Sequence, residues 1–249
     1  DVADLDNDGR LDIFTTEMLP YYNKRKKLFL NGNNYANYIN NETFGYEYQY
    51  SRNMLQLNCG DNPETGLPVF ADVAFYTGTQ ETEWSWTPLL ADFDNDGNRD
   101  IFVTNGFPRD VTDHDFGAYR SSYNYLIPPM ELQEMIPQIK VPKFLFKNEG
   151  NLQFKDISKE WGVAIPAFSN GAACGDLDND GDLDLVVNNV NMEALVYRNH
   201  SETVQPKNHY LSVQLKGGGQ NTFAVGSKVF LCRGDRKSTR LNSSHANVS

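Results

Sequence analysis

The chain has 249 residues, enough for one large domain or about two small ones. Its formal net charge of −11 argues against sequence-independent binding to nucleic acid, which needs a basic surface. No apolar run approaches the roughly 18 residues that a membrane span needs, so no membrane span is expected in this stretch. The three cysteines lie far apart and show neither a zinc spacing nor a disulfide framework.

One nine-residue pattern occurs three times along the chain. The copies read DLDNDGRLD, DFDNDGNRD and DLDNDGDLD, at residues 4–12, 92–100 and 176–184. Five fixed positions match by chance in about one window per million, so the three copies indicate an internal duplication. We name these segments loop 1, loop 2 and loop 3, and we number the positions in each loop from 1 to 9.

Each loop occupies the same place in a predicted unit of four short strands. One strand enters the loop, an apolar or β-branched strand leaves it, a third strand ends in asparagine, and a fourth strand follows a turn. Four short strands per unit, repeated, are typical of a propeller blade. A βαβ fold is disfavoured, because no amphipathic helix recurs between the predicted strands. The predicted strands span residues 13–16, 55–58 and 69–73 in the first unit, 89–92, 101–104, 145–148 and 153–157 in the second, and 172–176, 185–187 and 196–199 in the third.

The composition of the loops predicts calcium sites. Aspartate at positions 1, 3, 5 and 9 places four carboxylates within nine residues. Two carboxylates about 4 Å apart repel each other by about 4 kcal/mol at an effective dielectric constant of about 20, so we expect a cation between them. Glycine at position 6 permits the positive φ of a sharp turn, and flexible all-oxygen ligation favours Ca²⁺ over Mg²⁺ or Zn²⁺.

We predict about three Ca²⁺ sites, each bound by the side chains at positions 1, 3, 5 and 9 and by the backbone carbonyl at position 7. An EF-hand is excluded, because position 12 is not glutamate and lies in a predicted strand. The alternative is that DNDG forms a hairpin turn only. The predicted ligands are Asp4, Asp6, Asp8, Arg10 and Asp12 in loop 1, Asp92, Asp94, Asp96, Asn98 and Asp100 in loop 2, and Asp176, Asp178, Asp180, Asp182 and Asp184 in loop 3.

The loops and the strand pattern resemble FG-GAP/VCBS repeats, the calcium-loop blades that are also found in integrin α-subunit propellers. This resemblance covers about residues 1–205. Other stretches are similar to the secreted propeller proteins that carry a C-terminal ASPIC/UnbV domain. They read WSWTP from residue 84, FSNGA from residue 168, NHYL from residue 208 and NTFAVGSKV from residue 221.

The resemblance implies an extracellular or cell-surface, secreted, calcium-binding β-propeller used for adhesion or recognition. We therefore expect an all-β fold, a propeller fragment of about three four-stranded blades that is not necessarily closed. Millimolar extracellular calcium fills even sites of about 10⁻⁴ to 10⁻³ M, which also favours an extracellular location.

The predicted domain organisation has three parts. Residues 1–205 form the repeats, and residues 206–234 form the start of a truncated ASPIC/UnbV-like domain. Residues 235–249, which begin DRKSTRLNSSH, are interpreted as translated sequencing-adapter DNA. Because loop 1 stands at the start of the chain, we interpret the N-terminus as internal to a longer protein.

Two insertions, at about residues 18–52 and 106–143, carry ten of the 13 tyrosines. Each separates the second and third strands of its unit. In an up-and-down blade this connection lies on the face opposite to the calcium loops. We therefore expect a Tyr-rich face that binds a protein or glycan partner. The alternative is that these aromatic side chains fill a small core under long loops.

No catalytic residue is predicted, and we expect that the chain is not an enzyme. The alternative functions are a carbohydrate-active propeller enzyme and a structural spacer in a surface protein, in which calcium supplies only rigidity. No G-x-S-x-G signature occurs, and no carboxylate pair is fixed at a catalytic separation. Residues that could line a cleft in the enzyme alternative are Glu81, Glu83, Asp110, Asp113, His114 and Asp115.

Overall fold

The computed structural model describes residues 1–29, 35–204, 207–211, 213–233 and 236–242. The fold is mostly β, with 30% strand and 18% helix, and the strands pair in antiparallel fashion. The predicted domain boundaries at 205–206 and 234–235, and residues 243–249 of the adapter-like segment, lie outside the described residues.

In the described part of the chain, the strands form three sheets and a separate hairpin. They are β1 (Val2–Ala3), β2 (Asp12–Thr15), β3 (Met18–Leu19), β4 (Met54–Asp61), β5 (Pro68–Asp72), β6 (Glu83–Ala91), β7 (Asp100–Asn105), β8 (Phe144–Asn148), β9 (Phe154–Asp156), β10 (Ser169–Gly175), β11 (Asp184–Asn189), β12 (Leu195–Tyr197), β13 (Lys228–Arg233) and β14 (Arg236–Asn242). The first sheet has the order β1-β2-β4-β5, the second β3-β6-β7-β8-β9 and the third β10-β11-β12, while β13 pairs with β14.

The predicted four-strand unit is confirmed in the first and second sheets. In each of them, consecutive strands of the unit are neighbours and run antiparallel. The third sheet has the first three strands of the unit in the described residues. The sequence did not predict β3, a short strand of the first insertion that pairs Met18 with Trp84 at the edge of the second sheet.

The three sheets pack face to face, because the central sheet is apolar on both sides. Ile101 and Val103 of β7 belong to a buried cluster with the first sheet, whereas Phe102, between them, belongs to a cluster with the third sheet. All three side chains are fully buried. This alternation follows from the two-residue period of a strand, and each such side chain contributes about 1.5–3 kcal/mol on burial.

Most helices lie in the two insertions, where the sequence predicted no regular structure. They are α1 (Asn23–Leu28), α2 (Tyr35–Phe44), α3 (Ala74–Thr77), α4 (His114–Tyr123), α5 (Pro129–Glu134) and α6 (Ser201–Val204). Asp113 caps α4 by accepting a hydrogen bond from the N–H of Phe116. Within the ranges that the structure describes, no helix has both the length and the apolar character that a bilayer crossing requires.

The hairpin of β13 and β14 joins residues 228–233 to residues 236–242. Its second strand falls in the segment interpreted as adapter-derived. That interpretation stays a prediction, as does the assignment of residues 206–234 to the start of a further domain.

Candidate functional site

The three loops connect the first strand of each repeat to its second strand. Position 4 is an asparagine with φ of 60°, 55° and 61° in the three loops, and position 6 is a glycine with φ of 88°, 92° and 93°. The glycine turn that the sequence predicted is therefore confirmed. The positive φ at position 4 likewise explains the asparagine there, because asparagine tolerates the left-handed region better than most residues.

The carboxylates at positions 1, 3 and 5 come together in every loop. One oxygen from each lies within 4.8 Å of the others, which gives an all-oxygen donor set of the kind that Ca²⁺ prefers. The three groups are Asp4, Asp6 and Asp8; Asp92, Asp94 and Asp96; and Asp176, Asp178 and Asp180. A further group in the third repeat joins Asp180 and Asp182 to Glu202.

Backbone N–H groups of each loop hold these carboxylates in place. The aspartate at position 1 accepts hydrogen bonds from position 5 at 3.1 Å and from position 6 at 2.8–3.2 Å. The aspartate at position 5 accepts one from position 7 at 2.8–3.1 Å. The carboxylates are thus arranged by the loop's own backbone.

The aspartates at position 9 lie in a different environment from those at positions 1, 3 and 5. Asp12, Asp100 and Asp184 are buried at the start of β2, β7 and β11. In each, one oxygen accepts a hydrogen bond from the N–H of position 2 at 2.8–3.2 Å. The other accepts one from the asparagine that ends the third predicted strand, at 2.8–2.9 Å. Position 9 therefore closes the loop against the third strand and lies outside the three-carboxylate groups. Its role as a ligand, and that of the position-7 carbonyls, stays a prediction.

Burial has its largest effect on the pKa values of the aspartates in loop 2, which belongs to the central sheet. It raises the pKa of Asp100 to about 8 and that of Asp92 to about 6, and neighbouring carboxylates add to both increases. Hydrogen bonds from backbone N–H groups oppose these increases. Burial also raises the pKa of Asp6 and of Asp12 in loop 1. A bound divalent cation offsets the same charge repulsion, so the donor set fits such an ion.

A basic side chain contacts the carboxylates of each loop. The ammonium of Lys147, the residue before the strand-end asparagine of β8, pairs with Asp94 and lies 3.0 Å from Asp96. Sequence reasoning missed these contacts, although Arg198 precedes the equivalent asparagine in the third repeat. The other ion pairs of this kind are Arg198 with Asp178 at 2.7 Å, Arg198 with Asp180 at 3.3 Å, and Arg10 with Asp8.

The position-4 asparagines link neighbouring loops. Asn7 Nδ2 in loop 1 donates hydrogen bonds to the carbonyl oxygen of Gly97 at 3.2 Å and to Asn98 Oδ1 at 3.0 Å, both in loop 2. Loop 2 repeats this contact to loop 3, from Asn95 Nδ2 to the carbonyl oxygen of Gly181 at 3.4 Å and to Asp182 Oδ1 at 2.6 Å. The loops therefore form a connected row at one end of the three sheets.

The strand-end asparagines make a second link between sheets. The amide of buried Asn148 donates to the carbonyl oxygen of Arg99 in its own loop at 3.1 Å and to that of Leu5 in the preceding loop at 2.8 Å. Asn199 repeats this pair of bonds, to Leu183 at 3.1 Å and Phe93 at 2.6 Å. The sequence signal for this link was the recurrence of asparagine at residues 58, 148 and 199.

Two of the acidic residues considered for a catalytic cleft are held in structural contacts. The buried Glu83 carboxylate accepts hydrogen bonds from the N–H groups of Tyr21 and Tyr22 at 3.1 and 3.2 Å and lies 3.4 Å from Arg25 Nε. Arg25 also pairs with buried Asp110 of the second insertion. Arg25 thus ties the first insertion to the second sheet and to the second insertion.

The first insertion carries a row of stacked tyrosines on its surface. Centroid distances are 6.4 Å for Tyr35 and Tyr38, 5.6 Å for Tyr38 and Tyr48, and 6.3 Å for Tyr48 and Tyr50. Their exposed fractions run from 43% to 77%, so these four side chains do not fill a core. The Arg52 guanidinium lies 5.6 Å from the centroid of the Tyr50 ring. Because β2 starts at loop 1 and leads into this insertion, the insertion leaves the sheet at the end opposite to the loops.

A cavity of about 350 Å³ lies between the second and third sheets, beside loops 2 and 3. Trp161, Leu145 and Tyr197 contribute to its largely apolar lining. The buried Tyr197 hydroxyl has no hydrogen-bond partner among the described residues. Sequence reasoning gave no sign of this cavity.

No protein-family model matches the chain, and no curated protein matches it either.

Proposed function

We propose that the chain is a calcium-stabilised portion of a β-propeller, built from FG-GAP/VCBS-like repeats, that acts as an extracellular module for recognition of a protein or glycan. The observation that carries the proposal is the threefold recurrence of one loop geometry. Each loop brings three carboxylates close together. A turn alone does not require this, because carboxylates at such distances repel each other.

The packing of the sheets supports a propeller arrangement. Consecutive repeats form consecutive antiparallel sheets that pack face to face, and equivalent residues contribute to consecutive interfaces. Leu55 of the first sheet and Leu145 of the second, for example, occupy the same position before a strand-end asparagine. Radial repetition of such sheets is the defining feature of a propeller.

The tyrosine row supports the recognition role. Stacked phenol rings offer rigid amphipathic area at a low cost in side-chain entropy, and both protein interfaces and sugar-binding surfaces use such area. Arg52 adds a cation at one end of the row. In this proposal calcium binds at one end of the sheets and the partner at the other, so the ion acts through the rigidity of the sheets.

A second candidate function is favoured by the basic side chains in the loops. Lys147 bridges Asp94 and Asp96 in the manner of an internal counter-ion. In this alternative, which differs from the spacer that calcium makes rigid, the loops of a structural spacer are closed by ion pairs and do not need a metal.

Thermal unfolding of the full chain tests the calcium half of the proposal. We expect the melting temperature to rise in millimolar Ca²⁺ relative to a chelator, because a ligand at about 100 times its Kd adds about 2.7 kcal/mol per site. The triple variant Asp6→Asn, Asp94→Asn, Asp178→Asn should lose this increase. A charge-matched control with Glu42→Gln, Glu64→Gln and Glu134→Gln, all exposed and outside the loops, should retain it. Equal melting temperatures in calcium and chelator would favour the metal-free spacer, whose loops are closed by ion pairs.

An array of glycans and extracellular protein domains tests the recognition half. We expect at least one class of ligand to bind, and the variant Tyr35→Ser, Tyr38→Ser, Tyr48→Ser to lose that binding. Tyr76→Ser is the control, because Tyr76 is also an exposed tyrosine but lies outside both insertions. Binding that survives the triple substitution would contradict a role for the tyrosine row.

A further inference from the structure

The tyrosine row of the first insertion has a nearly constant repeat. Its successive ring centroids lie 6.4, 5.6 and 6.3 Å apart, and successive ring planes are within 21° of parallel. Two stretches of backbone supply the rings. Tyr35 and Tyr38 stand three residues apart on α2, which places them on one face of the helix, and Tyr48 and Tyr50 belong to the segment that follows. The regular repeat is therefore a product of the fold of the insertion.

Arg52 anchors one end of the row to the first sheet. Its guanidinium contacts two rings, at 5.6 Å from the centroid of Tyr50 and 4.8 Å from that of Phe75 in α3. It also pairs with Asp72 of β5 at 2.5 Å, and only 18% of its side chain is exposed. Because this guanidinium is held by three groups, we expect the row to keep its spacing before a partner binds, which lowers the entropy cost of binding.

The stacking decides which parts of the rings a partner can reach. Because neighbouring rings stack on one another, the faces between them are partly covered, while ring edges and phenolic hydroxyls remain accessible. A sugar that packs on an aromatic side chain needs a free ring face. The geometry therefore favours a ligand that contacts ring edges and hydroxyls over one that covers ring faces.

A polyproline II helix matches the repeat of the row. Its rise is about 3.1 Å per residue, so alternate residues recur every ~6.2 Å. The rings recur every 5.6–6.4 Å. A polyproline II helix makes no internal hydrogen bonds, so its carbonyl oxygens can accept hydrogen bonds from the phenolic hydroxyls. Proline-rich segments dock on surfaces lined by aromatic side chains, because their extended helix is already formed before binding.

A carboxylate stands on the same helical face as the first two rings. Glu42 follows Tyr35 by seven residues and Tyr38 by four, which is the spacing of one face of a helix. It is exposed and has no ion pair within the part of the chain that the structure describes. The net charge of −11 also attracts a cationic partner. The α2 end of the row thus complements a ligand with lysine or arginine beside its prolines.

We propose that the tyrosine row is a docking site for a basic proline-rich segment of a partner protein, bound as a polyproline II helix. Prolines of the segment contact the ring edges, the phenolic hydroxyls donate hydrogen bonds to its carbonyl oxygens, and one of its basic side chains pairs with Glu42. The proposal rests on the recognition role proposed above, because it names the ligand class of that surface, and it does not depend on calcium.

Fluorescence anisotropy of a labelled peptide with the full chain tests the proposal. The probe is a decaproline with two arginines at each end, which allows either direction of binding. We expect it to bind, and we expect a peptide of the same length and charge with a Gly-Ser core to bind at least about tenfold more weakly, because that core has no preformed helix to dock.

Substitutions in the centre of the row locate the site. Tyr38→Ser, Tyr48→Ser should weaken binding of the arginine-flanked decaproline at least about tenfold, because two aromatic anchors are lost. Tyr38→Phe, Tyr48→Phe keeps the stacked rings and removes only the hydroxyls, so we expect a loss of about threefold. Tyr76→Ser is the control at an exposed tyrosine outside both insertions and should leave binding unchanged.

A substitution of Glu42 tests the charge complementarity. Glu42→Gln should weaken binding of the arginine-flanked peptide by about two- to fivefold, the range of an exposed ion pair. It should leave binding of an uncharged decaproline unchanged. Glu64→Gln is the control, since Glu64 is also an exposed glutamate but lies outside the insertion.

The outcomes separate this proposal from the recognition role itself. Loss of peptide binding in the double-serine variant, with an unchanged circular dichroism spectrum, would support both. A native chain that does not bind the arginine-flanked decaproline, or a double-serine variant that binds it as well as the native chain, would overturn the docking proposal. Oligosaccharides that bind through the same tyrosines, without any peptide binding, would also overturn it but would leave the recognition role standing.

Discussion

At the scale of single residues, Asp100 is a loop aspartate that is buried and has a structural role. Its two carboxylate oxygens accept hydrogen bonds from the N–H groups of Phe93 and Asn148 at 3.2 and 2.9 Å. The neighbouring Asp96 is exposed, and its Oδ1 accepts from the N–H of Asn98 within the loop. The same residue type therefore contributes differently to stability at positions 9 and 5.

We predict that Asp100→Ala lowers the free energy of unfolding in chelator by about 2 kcal/mol or more, because each buried N–H left without an acceptor costs about 1–3 kcal/mol. Asp96→Ala is the control and should cost less than half as much. Urea unfolding of both variants measures the difference, and equal losses would show that position 9 has no special structural role.

Lys143 predicts a distinct dependence of stability on pH. Its side chain is buried and donates a hydrogen bond to the carbonyl oxygen of Ile165 at 2.9 Å. Burial lowers the pKa of Lys143 to about 8, below its ordinary value of 10.5. Between these two values the unfolded chain binds more protons at this site than the folded chain, so Lys143 makes stability rise with pH from about 8 to 10.5.

Lys143→Met should remove this rise, because it removes the titrating group. The exposed Lys140→Met is the control and should keep it. Denaturant unfolding at pH 7.5 and pH 10 provides the comparison. If the Lys143 variant kept the full native pH dependence, the buried ammonium would not be its source.

At the scale of elements, the end of β8 brings Lys147 against loop 2. Burial lowers the pKa of Lys147, but hydrogen bonds to Asp94 and Asp96 outweigh burial and hold the pKa above its ordinary value. The ammonium therefore stays charged, and we expect it to compete with a metal ion for the same carboxylates.

We predict that Lys147→Met increases the calcium affinity of loop 2 by about tenfold, which corresponds to about 1.4 kcal/mol. Lys155→Met is the control, since Lys155 is exposed and pairs only with Glu160 among the described residues. Calorimetric titration of both variants with calcium measures their affinities. An unchanged affinity in the Lys147 variant would mean that the ammonium does not compete with the ion.

The strand-end asparagines allow a measurement of the link between sheets. Asn148→Ala removes an amide that bonds to two carbonyl oxygens, one of them in the neighbouring sheet's loop, whereas Asn58→Ala removes an amide that bonds only within its own repeat. We expect the Asn148 variant to lose about 1–3 kcal/mol more than the Asn58 variant, because the buried carbonyl oxygen of Leu5 loses its partner. Thermal unfolding measures both losses, and equal losses would count against a stabilising bond across the sheets.

The sequence predicts the strands of the repeats well, because the loops mark where each strand starts and the apolar residues show its period. The strand predicted at 101–104 is β7, and the strand predicted at 145–148 is β8. A pairing between distant segments leaves no local signal, so β3 was not predicted. The helices α2 and α4 bury no residue, so they have no apolar stripe from which a helical period could be recognised. In the same way, the sequence presents the aspartates of a loop as equal, and only burial against the third strand separates position 9 from positions 1, 3 and 5.

At the scale of the whole molecule, the loops and the insertions occupy opposite ends of the sheets. The position-4 asparagines connect the loops into one row. Arg25 connects the first insertion to the second sheet through Glu83 and to the second insertion through Asp110. We therefore expect binding at either end to affect the packing of the sheets between them. Calcium that tightens the loops should stabilise the core without contacting the tyrosine row.

The most direct measurement is a calorimetric calcium titration of the full chain, with circular dichroism on the same sample. We predict about three bound Ca²⁺ ions per chain and little competition from Mg²⁺, because flexible carboxylate groups suit the larger ion. A folded chain that takes up no calcium would contradict the assignment of the loops as metal sites and leave them as turns closed by ion pairs.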